Sequence, residues 1–425
     1  MCKDEILQLI EDEDIEFIRL QFVDMFGNLK NVAVTPCQMD RVLNNEYFFA
    51  GSALFDNLYR YDEELYLHPD LDSFVVLPWR PQQGRVGKFI CDVCDADGNL
   101  LSLSPRTILK NTLEKVNQKG YTSIVDAECE FFLFHTDENG LPTVVAHERA
   151  GYMDVGPVDF GENARREMVL NLEEMGFEIE SSHHEEAPAQ HEIDFRQGEC
   201  LKSADALTTF KFAVRSVAKR FGLYATFMPK PKMDIAGSGM HLNFFIKDKD
   251  GNNIFQTADK KQAKYFIGGI LKYAKEMCAI TNPTVNSYKR IISGFEAPNE
   301  INWSTKGENA LVKLRRNFGE TKVELRFPDP SANPYLALAV CMAAGIRGME
   351  EKLDPDEVMK HQKGCEKHLP ENLKDAICLM EKSEFMKSVL GKEFVELYVK
   401  LKKQEWRDYM LQVSDWEINR YLVKL

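Results

Sequence analysis

Residues 123–134 read SIVDAECEFFLF, a run in which acidic and apolar side chains alternate. A two-residue period places Asp126, Glu128 and Glu130 on one face of a strand, with Val125, Ala127, Cys129 and Phe131 on the other. Carboxylates that close repel one another unless something positive lies among them. The apolar reverse face, in turn, needs a core to cover it. Outward from this strand the pattern recurs. HHEEAPAQHEIDF (183–195) carries Glu185, a turn through Ala187, Pro188 and Ala189, then Glu192 and Asp194 opposite Ile193 and Phe195. AGSGMHLNFF (236–245) sets His241 and Asn243 opposite Met240, Leu242 and Phe244, and VELRFP (323–328) sets Glu324 and Arg326 opposite Val323, Leu325 and Phe327. Each strand presents polar ligands from a face whose reverse is core. Carboxylates with a single imidazole suit Mg²⁺ or Mn²⁺ better than zinc. Neither GxxxxGK[ST] nor GxGxxG occurs, so a bound nucleotide would rely on metals and side chains.

Around these strands the chain alternates between the two element types. GENARREMVLNLEEMG, ADALTTFKFAVRSVAKRFG, KKQAKYFIGGILKYAKEMCAI and PYLALAVCMAAGIRGMEEKL read as helices, and FEIESSHHE and LYATFMPKP as strands. The C-terminal stretch reads as amphipathic helices. Ser104-Pro105 opens a helix that stops at Gly120. The first 100 residues form a mostly β module with a hairpin through Met25–Asn28. The expected division is 1–102 for this module and 103–425 for a catalytic domain, in an α+β architecture.

The 425 residues hold 53 Lys+Arg against 67 Asp+Glu, a net charge of −14 that argues against nucleic acid or an anionic membrane as partner. Ten cysteines follow no regular framework; the lone Cys91–Cys94 pair reads as reduced thiols acting as small hydrophobes. The acidic N-terminus lacks an apolar signal core, and the apolar run Tyr335–Ile346 falls short of the ~20 residues a bilayer needs. A cytoplasmic protein is expected.

The four ligand-bearing segments, together with NPTVNSYKRIISGFEAP (282–298), closely resemble the signature segments of bacterial-type (class I) glutamine synthetase, nearly collinearly from about residue 17 to the C-terminus. The resemblance implies an N-terminal β-grasp domain followed by a catalytic domain with a partial β-barrel and surrounding helices. It further implies a dodecamer of two stacked hexamers with active sites between neighbouring subunits. ATP would phosphorylate the γ-carboxylate of glutamate, and ammonia or another amine would attack the acyl phosphate. One metal site would comprise Glu130, Glu185 and Glu192, and the other Glu128, His241 and Glu324. Glu180, Asn243 and Lys313 would meet the nucleotide. Arg290 and Arg326 would clamp the glutamate carboxylates beside the Gly237 loop, Glu296 would close as a flap, and Tyr152 would line the amine pocket.

The chain departs from the family pattern in places. Ala50-Gly51-Ser52-Ala53 stands where the family has Asp-Gly-Ser-Ser, whose Asp handles ammonium; a less charged pocket suited to an alkyl or aromatic amine is expected. Ala236 replaces an Asn of the glutamate loop, Phe245 a Ser near ATP, Glu308 a phosphate-facing Arg, and Lys313 a second Arg, losing its bidentate fork. No adenylylation loop is recognisable in GCEKHLPENLKD. Beside the ligase reading stand two alternatives, a metal-dependent amide hydrolase on the same fold and a catalytically impaired scaffold or regulator.

Overall fold

The computed structural model describes residues 1–79, 83–146, 148–196, 198–293, 295, 297–307, 309–317, 319–362 and 364–423. The N-terminal sheet contains β1 (Ile15–Val23), β2 (Leu29–Val34), β3 (Phe48–Ala50), β4 (Glu64–Pro69), β5 (Val75–Val76) and β6 (Arg85–Cys94). Its order is β2-β1-β6-β4-β3, with β5 on β6 and a parallel pairing of β1 with β6 at the centre, a β-grasp arrangement. The β1–β2 hairpin forms where expected, because Asp24 Oδ1 accepts from the N–H groups of Phe26 (2.9 Å) and Asn28 (2.8 Å) and closes the turn. The helix Lys3–Asp12, which the sequence reading passed over, buries Ile6 and Ile10 beneath this sheet.

The second sheet holds β7 (Thr122–Cys129), β8 (Phe131–His135), β9 (Glu178–His184), β10 (Gln190–Arg196), β11 (Leu223–Thr226), β12 (Met240–Lys247), β13 (Trp303–Ser304), β14 (Val312–Asn317) and β15 (Glu320–Leu325). It runs β11-β8-β10-β7-β12-β15-β14-β13, with β9 on β10. The alternation of burial along β7 matches the sequence: Val125, Ala127 and Cys129 are buried, while Asp126 and Glu128 are half-buried. One expectation is corrected here. SIVDAECEFFLF is not a single strand but breaks at Glu130, whose N–H makes the last bond in register with the β12 side, to the Gly239 carbonyl at 3.1 Å, before the chain continues as β8. Both halves pair with β10, and they differ in their other neighbour, β12 for β7 and β11 for β8.

The long helices Cys200–Arg220, Lys261–Thr281 and Pro334–Glu351 supply the core behind the sheet. Ser203 Oγ donates to the Val125 carbonyl at 2.6 Å and so ties the first of them to β7. Ser104 sits in extended conformation before helix Pro105–Gln118, but its hydroxyl makes no capping bond; Pro at the first turn and Gly120 at φ +83° mark the helix ends. Cys91 and Cys94 are buried thiols of β6, and burial pushes Cys94 up to about 11. No described helix is long and apolar enough to cross a membrane.

Candidate active site

Strand register assembles the first cluster. His241 of β12 lies directly opposite Glu128 of β7, and Asn243, two residues on, lies opposite Glu324 of β15. Ligand atoms of Glu128, His241 and Glu324 therefore come within 4.8 Å of one another. His241 Nδ1 is 3.2 Å from Glu128 Oε2, and Asn243 Nδ2 donates to Glu128 Oε1 at 2.8 Å. Burial opposes the Glu128 charge, but His241, Lys322 and Asn243 hold its carboxyl well below the usual range. Burial, reinforced by Arg326, lowers His241, leaving a neutral imidazole whose lone pair can serve a metal. Arg326 donates to Glu324 Oε1 at 2.9 Å, and Arg315 pairs with the other oxygen.

The β9–β10 hairpin builds the second cluster. Ala189 takes a left-handed φ of +67° in the turn, and Glu192 faces His183 across the pair. His183, Glu185 and Glu192 have ligand atoms within 4.8 Å of one another, with His183 Nε2 at 2.8 Å from Glu185 Oε1. The sequence reading missed His183, although it precedes Glu185 by one strand period and so shares its face. Glu130 lies between the clusters, with Oε1 4.0 Å from His241 Nε2 and Oε2 accepting from Gly239 N (2.9 Å) and Gln190 Nε2 (2.7 Å). Burial and then the Glu185 charge push Glu130 up to about 8. Burial, with Asp194 and Glu130, raises Glu192 well above the ordinary carboxylate range. Such crowding of anions is what a divalent cation relieves, and the oxygen-rich donor set fits Mg²⁺ or Mn²⁺.

A third group of four ligand-capable side chains, Glu148, Asp159, His184 and His191, lies beneath the hairpin and is fully buried. Its polar atoms are mostly spent internally, His191 Nε2 being left without a partner among the described residues. Arg165 Nη1 bonds Asp159 Oδ2 (2.7 Å) and His191 Nδ1 (2.8 Å), and Glu148 accepts from Ala189 N, Phe160 N and His184 Nε2 at 2.7, 2.7 and 2.8 Å. With an arginine already among them, these residues form a brace rather than a metal site.

The other candidate residues surround the clusters. Buried Arg290, from helix Val285–Ser293, donates to the carbonyls of Phe327 and Arg326, both at 3.2 Å. Gly237 is required by close approach, since a Cβ there would stand 2.3 Å from the Pro229 carbonyl and 3.2 Å from Arg290 Cγ. Tyr152 is exposed and meets the His183 ring edge-on at 5.5 Å. Lys313 is buried opposite Glu324. Asn243 is fully buried, one contact away from any ligand of Glu128. Glu180 pairs with Arg196 at 3.0 Å on the outer part of the hairpin. Ala50 is an exposed end of β3, and Ala236 packs against Phe132, Phe134, Ala187 and Ala189. Glu296 and Glu308 lie outside the described residues.

A profile for the glutamine synthetase catalytic domain matches residues 102–421, and one for the glutamine synthetase β-grasp domain matches residues 14–96. The glutamine synthetase of Clostridium saccharobutylicum is 48% identical over 440 residues, covering 99% of each chain. That of Methanosarcina mazei is 41% identical over 442 residues, covering 100% of this chain and 98% of its own. Among solved structures, ligand-free GmaS superposes with a TM-score of 0.87 at 30% identity, over 98% of this chain and 99% of that one, and a GmaS/ADP complex with 0.88. A β-grasp module beside a sheet that gathers acidic strands is the frame of an ATP-dependent ligase making γ-glutamyl amides. The chain belongs to the glutamine synthetase family.

Proposed function

We propose that the chain joins the γ-carboxylate of glutamate to a small alkyl amine through a γ-glutamyl phosphate, in an ATP-dependent reaction. The observation that carries this is the convergence of Glu128, His241 and Glu324 with Glu185, Glu192 and Glu130 on one sheet face, two of whose carboxyls are raised by burial and then by mutual repulsion. Bound there, Mg²⁺ or Mn²⁺ supplies charge neutralisation for the transferring phosphoryl group.

The protein's own residues do the rest. Gly237 lets its loop pass close to Arg290, so the guanidinium is fixed by carbonyls and presented to a substrate carboxylate. Arg326, held by Glu324, offers a second cation on the same side. An oriented cation of this kind contributes about 3 kcal/mol to transition-state stabilisation, on the order of a hundredfold in rate. Lys313 and Glu180 are the nucleotide contacts, Asn243 orients Glu128, and Glu296 closes the flap. Tyr152 forms the edge of the amine pocket against His183.

The amine follows from charge. Ala50 and Ala53 bring no carboxylate to the latch, so nothing there favours ammonium over a bulkier, less hydrated amine. GmaS, a γ-glutamylmethylamide synthetase, shares the fold. The latch acts in a neighbouring subunit, within a dodecamer of stacked hexamers. Exposed apolar residues just past the ends of the last helices support association between copies, among them Leu411 (73%) and Val423 (91%). Phosphate release with ATP, glutamate and Mg²⁺ is measured against ammonia, methylamine, ethylamine and benzylamine. Fastest turnover with an alkylamine is expected; fastest turnover with ammonia sinks the amine assignment.

A further inference from the structure

Among the described residues, the second group of ligand atoms is His183, Glu185 and Glu192, and Glu130, the third carboxylate expected there, is not part of it. Glu130 turns elsewhere: one oxygen accepts from the Gly239 N–H and the Gln190 amide, and the other lies 4.0 Å from His241 Nε2. An imidazole stands in that group instead. His183, near the end of β9, and Glu185, just past it, are one strand period apart and share a face. The hairpin register sets Glu192 directly across from His183. His183 Nε2 therefore faces both carboxylates, 2.8 Å from Glu185 Oε1 and 3.6 Å from Glu192 Oε2. Those separations suit a common ion. Two ligands at right angles, each roughly 2.1 Å from a metal, stand about 3.0 Å apart, and two opposite ones about 4.2 Å. The 3.6 Å separation falls between those values, and the 2.8 Å one has to open by only about 0.2 Å. The partners are held in place as well. Glu185 Oε2 accepts from the Glu186 N–H at 3.1 Å, which leaves Oε1 for the shared point, and the Tyr152 ring meets the imidazole edge-on at 5.5 Å. A histidine that served only to position Glu185 need meet one carboxylate; this one meets two.

We propose that His183 is a direct ligand of the second metal ion, through Nε2 in the tautomer that keeps its proton on Nδ1. Each of the two clusters then offers its ion one imidazole among carboxylates. A nitrogen donor favours Mn²⁺ over Mg²⁺, which prefers oxygen and gives up its water reluctantly. The same ligand joins the ion to the amine pocket, whose edge Tyr152 forms against the His183 ring. The inference rests on reading these clusters as metal sites and is independent of which amine is joined.

The test is pulsed electron paramagnetic resonance on the full chain carrying His241→Gln, which removes the imidazole of the first cluster, with sub-stoichiometric Mn²⁺ as the probe. Nitrogen modulation of the bound Mn²⁺ is expected, and it disappears when His183→Gln is added. Glutamine still donates to Glu185, so a mere positioning role survives that substitution. In the otherwise unaltered chain, His183→Gln weakens binding of one Mn²⁺ at least about tenfold, the lower bound for disturbing a metal's surroundings, and Mg²⁺ less, so the preference between the two ions narrows. Anomalous diffraction from wild-type crystals grown with Mn²⁺ needs no substitution and decides the matter where the double variant does not fold; His183 Nε2 in bonding contact with the second ion is expected. Bound Mn²⁺ without nitrogen modulation in the His241→Gln chain, equal loss of Mn²⁺ and Mg²⁺, or an ion held by Glu130, Glu185 and Glu192 with His183 outside its shell overturns the proposal and leaves the ligase reading standing. A chain that binds no Mn²⁺ overturns both.

Discussion

Replacing Glu148 by Gln removes one charge from a group buried beneath the β9–β10 hairpin. The cost can be worked out bond by bond. Both ring nitrogens of His184 face oxygen acceptors, Glu148 Oε1 at 2.8 Å and the Glu185 carbonyl at 2.7 Å, so both carry protons and the ring is an imidazolium. Burial works against that charge, but Glu148 and the Glu185 carbonyl raise the pKa of His184. Glu148, in turn, also accepts from the N–H groups of Ala189 and Phe160. A glutamine offers one oxygen in place of two. If it faces Ala189 and His184, the imidazolium loses its counter-ion and Phe160 N–H loses its acceptor. If it faces Phe160, His184 can turn neutral and accept from the amide, but the buried Ala189 N–H then meets a donor. Either arrangement leaves a buried group unpaired, and with the lost charge pair the penalty is about 3 kcal/mol.

Equilibrium urea unfolding of Glu148→Gln, at matched protein concentration and pH 7, measures that figure directly. The pH dependence has a definite sign. His184, raised, contributes stability that is full below its unfolded pKa and is lost as pH climbs through its folded value. Glu148, lowered, contributes stability that is lost as pH falls through its folded value. The wild type is thus favoured over the variant most at intermediate pH. Met153 N donates to the His184 carbonyl at 3.0 Å, so the strut also sets the neighbouring Tyr152. The Michaelis constant for the amine rises while that for glutamate holds. A variant within about 0.5 kcal/mol of wild type refutes the imidazolium assignment and the bond accounting together.

Three further outcomes follow from the same geometry. Gly237→Ala drives a Cβ to 2.3 Å from the Pro229 carbonyl and crowds Arg290, so the Michaelis constant for glutamate rises at least about tenfold in steady-state kinetics; unchanged glutamate kinetics contradict the placement of that loop. The folded-state pKa of Lys88 lies at about 8, below the unfolded 10.5, so the unfolded chain binds more protons between those values and stability climbs with pH across that window, by up to about 3 kcal/mol. Lys88→Met removes the climb and melts higher than wild type at pH 7; a lower melting temperature speaks against a destabilising buried ammonium. Finally, with Glu130 at about 8 and Glu192 also raised, Mn²⁺ binding at pH 7 releases protons, and apparent affinity rises with pH toward about 8. Calorimetry in buffers of differing ionisation enthalpy reads the release, and identical heats in all buffers refute it.

The parts of the site that the sequence disclosed are those that obey a local period. Glu128 against Cys129, and His241 against Met240 and Leu242, alternate because each strand has a core on one side. What the sequence withheld depends on contacts between distant segments. The break at Glu130 parts a half that follows β12 from a half that follows β11, strands distant in sequence, and no local pattern announces it. Glu148 belongs to an irregular stretch, and its function becomes visible only when the β9–β10 hairpin folds over it. His183 was within reach, since it shares a strand face with Glu185, but its closeness to Glu192 required the hairpin register. At the N-terminus, helix Lys3–Asp12 went unread because only two of its residues, Ile6 and Ile10, are buried, too few for a clear stripe.

The ligand carboxylates are not equivalent, and the difference says what the chain does for itself and what it leaves to the metal. Glu324 lies between Arg315 and Arg326, Glu128 is 3.5 Å from Lys322, and Glu185 meets His183. Each of these three has a cationic or proton-donating side chain of the protein beside it before any ion arrives. Glu130 is bonded only by two neutral donors, the Gly239 N–H and the Gln190 amide, with Arg290 and Arg326 acting on it through their charge alone, and Glu192 stands 3.6 Å from His183. These two carboxyls hold their protons most tightly. A divalent cation therefore gains most at the Glu130–Glu192 side, where it displaces protons, and less at Glu324, where it competes with two arginines. Neutralising Glu192 alone, as Gln, then lowers the number of protons released on Mn²⁺ binding, whereas Glu324→Gln leaves the release intact while removing the carboxylate that Arg315 and Arg326 share. The charge that folding could not balance is concentrated at the position where the proposed reaction would place a metal.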